Sequence, residues 1–197
     1  MKKLLGVALM TLLAATIACA DEQLAVGAKA PKFSLVNATD GKTIAMNPTD
    51  GRLKVVVFTC NSCPFAKAFE PRLIEIANRF NGKGVSFYAV DPNDDSQYPD
   101  ETLANMKARA DEREYPFPYL KDADSSIAKA YGARVTPHVF VVDGEGVVRY
   151  RGYVDDSAKP AERKTTGLTD ALNALTNGRD VANADTRAFG CTIKWKS

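Results

Sequence analysis

Cysteine is scarce in this chain of 197 residues: four in all, with Cys19 near the start and Cys60, Cys63 and Cys191 beyond it. Disulfide-stapled secreted domains carry a dense and even set, so this one is not a disulfide scaffold. Histidine is scarcer still, with His138 alone. No second Cys-x-x-Cys accompanies the one at Cys60 and Cys63, so the four-ligand spacing of a structural zinc site is missing. Charge of one sign is lacking too. A formal net charge of +2 leaves neither the basic footprint of a nucleic-acid binder nor an acidic tail. No internal repeat or low-complexity segment is visible. Beyond the first twenty residues no apolar run approaches the ~20 residues that a membrane-spanning helix needs.

What is present begins with Met1-Lys2-Lys3, a short positive start, followed by the uncharged apolar run LLGVALMTLLAATIA over residues 4–18. Ala18-Cys19-Ala20 fits a small-x-small cleavage site ahead of Asp21-Glu22. Residues 1–20 therefore read as a secretory signal peptide, which predicts export to the periplasm. Lipid anchoring at Cys19 is disfavoured because Thr16 stands where such signals carry Leu. Residues 21–197 are the length of one domain, with 179–197 as a C-terminal tail. That mature chain keeps three cysteines, a pair and one left over, which suits chemistry better than stapling.

The segments alternate. KFSLVN and KTIAM flank Asp40-Gly41, a hairpin signal. LKVVVFT (53–59) is an uninterrupted apolar run, as a strand buried on both faces should be. Ala66, Phe69, Leu73, Ile76, Ala77 and Phe80 recur at helical spacing, with Pro71 expected to kink that helix. VSFYAV (85–90) predicts a second buried strand. ETLANMKARADERE (101–114) predicts a helix with Leu103, Met106 and Ala110 inward, and SSIAKAYG a short helix closed by Gly132. TPHVFVVDGEGVVRYRGYV predicts two strands about residues 143–146, and GLTDALNALTNG (167–178) a last helix. The fold class is α/β, a central mixed sheet flanked by helices, with an N-terminal β-hairpin extension.

Cys60 and Cys63 fall at the first strand–helix junction, where α/β sheets place their chemistry. The thiolate is the nucleophile of thiol exchange, and the unpaired N–H groups and positive dipole end of a helix start stabilise it. Cys60 is expected at or just before the cap as the attacking thiol, and Cys63, one turn on and more buried, as the resolving one. Two other readings of the same cysteines stand beside this one: a static disulfide, and a Cu(I) or Zn(II) site that also draws on Cys191 or His138.

The stretches CNSCPFAKAFEPRL, NMKARADEREYPFPYLKD, AYGARVTPHVFVVD, YRGYVDD and GCTIKWK resemble the thioredoxin superfamily, within it the secreted peroxiredoxin-like (redoxin, alkyl-hydroperoxide-reductase/thiol-specific-antioxidant) branch. The resemblance implies a thioredoxin-like fold and a thiol–disulfide oxidoreductase that needs no cofactor. Its partners would be a thiol or disulfide substrate, protein or small molecule, and a redox partner protein. It also implies a cis Thr136-Pro137 bond lying against the cysteines, with the backbone before Pro137 pairing with a bound partner's strand. The peroxidatic pattern of the branch, Pro-x-x-x-Thr-x-x-Cys, is absent. Aligned on Cys63 its Thr and Pro become Cys60 and Val56, and aligned on Cys60 they become Val57 and Leu53. A peroxidase is therefore the secondary reading. Thioredoxins bury an Asp six residues before the first cysteine, where this chain has Lys54. Lys54 and Cys191 are thus accessory candidates, with Glu70 and Asp91 as weaker ones. His138, adjacent to Pro137, is expected to point the other way along its strand.

Overall fold

Local sequence accounts for most of the elements in the computed structural model, which describes residues 23–196. In chain order they are β1 (Phe33–Asn37), β2 (Thr43–Met46), β3 (Leu53–Phe58), α1 (Pro64–Phe80), β4 (Val85–Asp91), α2 (Leu103–Glu112) and β5 (Tyr119–Lys121). Then follow α3 (Ser126–Tyr131), β6 (Val135–Thr136), β7 (His138–Val142), β8 (Val148–Gly152), α4 (Gly167–Thr176) and β9 (Cys191–Thr192). The signal peptide expected over residues 1–20 lies outside the described residues.

The main sheet has seven strands in the order β2-β1-β5-β4-β3-β7-β8. β3 lies parallel to β4 and antiparallel to β7, which puts its carboxyl end, and Cys60 after it, in the middle of the sheet edge. Both faces of β3 are covered, and this explains its unbroken apolar run. Val55 and Val57 enter one core with Phe69, Leu73 and Phe80 of α1 and Leu168 and Leu172 of α4. Val56 and Phe58 enter the other core with Tyr131, Phe140 and Val142.

Four details depart from the sequence reading. The strand β5, between β4 and β1, is only three residues long and follows a proline-rich turn, too short to show a period. Leu103 is exposed while Met106 and Ala110 are buried, because α2 starts at Leu103, after a 3-10 turn at Pro99–Glu101. Pro71 sits inside α1, which continues through it as one helix to Phe80. The tail is not a free extension: Cys191 and Thr192 form an antiparallel ladder with Thr136 and Val135.

Candidate active site

The chain leaves β3 at Phe58, and Thr59 N–H still reaches Val90 O at 2.9 Å, so Cys60 is delivered directly at the sheet edge. The helix then begins at Pro64, a residue suited to a first helical position because its missing N–H would have had no partner. Cys63, not Cys60, is therefore the capping residue. Its backbone is extended (φ −71°, ψ 122°), and its Sγ accepts the Ala66 N–H at 3.4 Å. The expected difference in burial is also absent, since Cys60 is 4% and Cys63 3% exposed. Local spacing places both cysteines at the junction but does not say on which of them the helix starts.

The Thr136–Pro137 peptide bond is cis, and Thr136 touches both sulfurs. Its Oγ1 is 3.2 Å from Cys60 Sγ, and its carbonyl oxygen accepts from the Cys63 thiol at 3.1 Å. Cys191, half-buried, packs against the cluster formed by Cys60, Cys63 and Ala66. Three thiols from two parts of the chain thus meet around one helix N-terminus.

Electrostatics separate them. Cys63 is held well below the usual thiol range because the Cys60 thiol donates to its sulfur, with further hydrogen bonds from Cys191 and the Ala66 N–H, against the cost of burial. Cys60 is raised correspondingly, by that donation first and by burial second, and the carboxylate of Glu101 adds to the effect. The two thiols are thus driven in opposite directions, Cys63 downward and Cys60 upward. Cys191 is pushed up to about 11 by burial and by donating to Cys63.

Glu101 is a site residue that spacing could not find. Fully buried, it lies forty positions along the chain from Asn61, in the turn before α2, yet it accepts the Asn61 N–H at 2.7 Å and the Ser62 N–H at 3.1 Å. The Ser62 hydroxyl also donates to it, and Asn93 Nδ2 lies 3.3 Å away. Asn61 is further fixed by Asp100 O at 2.7 Å and by the Tyr119 hydroxyl at 3.1 Å. One carboxylate thus sets the path of the two residues between the cysteines. Burial alone would raise Glu101, but the hydrogen bonds from Ser62 and Asn61 hold it below the ordinary carboxylate value. Beside it Asp91 is raised well above that value by burial, against the attraction of Lys121 and with the Glu101 charge adding to the rise. The two neighbouring carboxyl groups are thus pushed in opposite directions, Asp91 upward and Glu101 downward.

Glu101→Gln should cost about 1.5–3 kcal/mol, the range of a hydrogen bond to a charged group. Because the folded value of Glu101 lies below its unfolded one, this stabilisation is present above the unfolded pKa and lost as pH falls through the folded value. Urea titrations at neutral and acidic pH should show the two proteins converging as pH falls. A constant difference would mean that the charge of Glu101 contributes nothing.

The remaining sequence candidates go elsewhere. Lys54 is wholly buried, not solvated, and its Nζ is taken by Asp50 and by the carbonyls of Pro48 (2.9 Å) and Arg52 (2.7 Å), at the opposite end of β3 from the cysteines. Its accessory role at the thiols has no structural basis. Glu70 binds Arg109 and the Tyr115 hydroxyl, each at 2.7 Å, and joins α1 to α2. His138 is buried with its ring 4.6 Å from that of Phe140, and burial lowers it to about 4, so the imidazole is neutral. Among the described residues, no group of three or more His, Cys, Asp or Glu is arranged to hold a metal ion.

Residues 26–151 match the AhpC/TSA family. The chain belongs to the AhpC/TSA family. This AhpC/TSA protein is similar to an uncharacterized conserved protein of known structure from Geobacillus kaustophilus, at 40% identity and TM-score 0.83, over 88% of this chain and 94% of that one. It is 26% identical over 136 residues to the thiol:disulfide interchange protein DsbE of Pseudomonas fluorescens biotype C, covering 66% of this chain and 69% of the relative. The thioredoxin domain of a thiol-disulfide oxidoreductase from Bacteroides vulgatus shares the fold at TM-score 0.61 and 22% identity, over 79% of this chain and 100% of that one. The thioredoxin-like architecture implied by the sequence is thus the one found.

Proposed function

We propose that this AhpC/TSA protein is a thiol–disulfide oxidoreductase of the cell envelope that works through a Cys60/Cys63 dithiol. The observation that carries the reading is the Cys63 sulfur at the N-terminus of α1, with the Cys60 thiol as its donor and Thr136 against both. A helix N-terminus favours the thiolate form of the sulfur that caps it, and a thiolate is the group that attacks a disulfide. The roles first assigned by spacing are then exchanged. Cys63 attacks a partner's disulfide, the mixed disulfide forms, and Cys60 attacks the Cys63 sulfur to release the partner's thiol. Thr136 and Pro137 form the wall beside the cysteines, and the Thr136 edge, where the resemblance placed a partner's strand, is paired with Cys191 of the tail. Similarity to the interchange protein DsbE supports the reaction class, and the N-terminal segment supports export. Peroxidase chemistry is the secondary reading, since Leu53, Val56, Val57 and Cys60 stand where the Pro and Thr of that pattern would be.

Equilibration of the protein with graded dithiothreitol buffers, followed by alkylation and peptide mapping, tests this reading. The expected result is a two-electron couple that includes a Cys60–Cys63 disulfide. Its potential gives the direction of flow: a low value means a reductant fed by another thiol carrier, a high value a disulfide donor. If Cys60 and Cys63 never pair under oxidising conditions, the proposal fails.

A further inference from the structure

The edge of β6 is occupied by this protein's own tail. Thr136 lies opposite Cys191 and Val135 opposite Thr192 in antiparallel register, the arrangement by which a bound peptide adds a strand to an exposed edge. The approach is close: a Cβ on Gly190 would come within 2.1 Å of Thr136 O, so glycine at this position lets the two backbones meet. Beyond Cys191 the tail is fastened residue by residue. Ile193 is buried and donates to Arg134 O at 3.1 Å. Lys194 N–H donates to Asn93 Oδ1 at 2.8 Å, and its carbonyl accepts from Asp94 N–H at 2.7 Å. Lys196 pairs with Asp94 at 2.7 Å. This anchoring holds Cys191 at the Cys60–Cys63 cluster, on which it packs.

Exposure gives the arrangement a use. Cys60 and Cys63 are almost completely covered, whereas Cys191 is only half-buried. A partner's sulfur has to reach its target in line with the bond that breaks, and of the three thiols the tail's is the accessible one.

We propose that Cys191 is a third redox thiol of this protein, which takes the disulfide over from Cys60 and presents it at the surface as a Cys63–Cys191 bond. The inference rests on the Cys60–Cys63 dithiol proposed above. Starting from the Cys60–Cys63 disulfide, Cys191 gives its proton to water and its thiolate attacks Cys63 Sγ. The Cys63–Cys191 bond forms, the Cys60–Cys63 bond breaks, and Cys60 leaves as a thiolate that takes up a proton. No electrons are gained or lost in this exchange. An external dithiol then attacks the Cys191 sulfur, and its second thiol closes the external disulfide, leaving Cys60, Cys63 and Cys191 reduced. The order of events is built into the cluster. While Cys63 is a thiolate it holds the Cys191 proton in place, and once Cys63 is in a disulfide that restraint is gone.

Two variants and one control test the proposal. Cys60→Ser, oxidised with diamide, should give a Cys63–Cys191 disulfide within single molecules, read by non-reducing peptide mapping. Cys191→Ser should still form the Cys60–Cys63 disulfide, but dithiothreitol should reduce it roughly tenfold more slowly than in the unaltered protein, since direct attack on a covered sulfur is hindered. Adding Gly190→Ala to Cys60→Ser should lower the yield of the cross-link by parting the two strands. A Cys60→Ser protein that stays unlinked or links only between molecules overturns the proposal, as does a Cys191→Ser protein reduced at the unaltered rate. Failure of Cys191→Ser to form any Cys60–Cys63 disulfide overturns the dithiol reading itself.

Discussion

Replacing Cys63 by serine should lower disulfide exchange by roughly 10³-fold or more, the scale on which loss of a catalytic nucleophile acts. The variant loses the sulfur that the Ala66 N–H and the Cys60 thiol stabilise as a thiolate, and it leaves Cys60, a thiol raised by burial and by the nearby Glu101 carboxylate. Cys60→Ser should fail differently. It keeps the cap and therefore a reactive sulfur, so the first attack proceeds, and in the double variant Cys60→Ser, Cys191→Ser the mixed disulfide accumulates for want of a thiol to release it. The pH dependence distinguishes the two sulfurs. A free thiol ionises near pH 8.5, and Cys63 is held below this chiefly by the Cys60 thiol, so thiolate absorbance should extend to lower pH in the unaltered reduced protein than in Cys60→Ser, which keeps only the hydrogen bonds from Cys191 and the Ala66 N–H. In Cys63→Ser it should appear only at alkaline pH. The reverse pattern, with the acidic thiolate surviving in Cys63→Ser, would return the attacking role to Cys60.

Loss of Arg72 should be the most damaging single change to stability. Its guanidinium grips both oxygens of Asp155, at 2.6 and 2.5 Å, and donates to the carbonyls of Ser157 at 2.8 Å, Ala158 at 3.0 Å and Ala68 at 3.1 Å. It also lies 4.3 Å over the Phe69 ring. The two side chains are only 9% and 3% exposed, and they tie α1 to the segment that follows β8. Arg72→Met leaves the buried Asp155 carboxylate only the more distant Arg163 at 3.7 Å and the Ser157 N–H at 3.2 Å, and breaking a buried pair from one side costs about 3–5 kcal/mol. In a protein of this size that lowers Tm by roughly 6–20 °C. The double variant Arg72→Met, Asp155→Leu should regain a large part of the loss, because no uncompensated charge then remains. Denaturant midpoints for both variants provide the check. A double variant no better than Arg72→Met alone would mean that geometry, rather than the buried charge, accounts for the cost.

The sequence by itself determined most of the elements and pointed to the chemistry proposed. Alternation and runs of apolar residues placed β1 to β4, α1 and the β7–β8 hairpin, because burial on one or both faces leaves a local period that composition can show. Cys60 and Cys63 at a strand–helix junction pointed to thiol exchange on the same local grounds, whereas Thr136-Pro137 was marked only by the family resemblance. Only the tertiary structure decided what depends on residues far apart in the chain. Glu101 reaches Asn61 and Ser62 through a turn that carries no periodic signal, and Cys191 reaches Cys63 because a two-residue strand pairs at Thr136. Neither contact has a spacing to read, since β9 and the turn before α2 are held by hydrogen bonds to distant backbone and not by an apolar stripe of their own. The choice of Cys63 over Cys60 as the cap is equally a matter of tertiary placement. Both residues satisfy the motif, and only the point where α1 starts its first turn decides which sulfur receives the helix N–H.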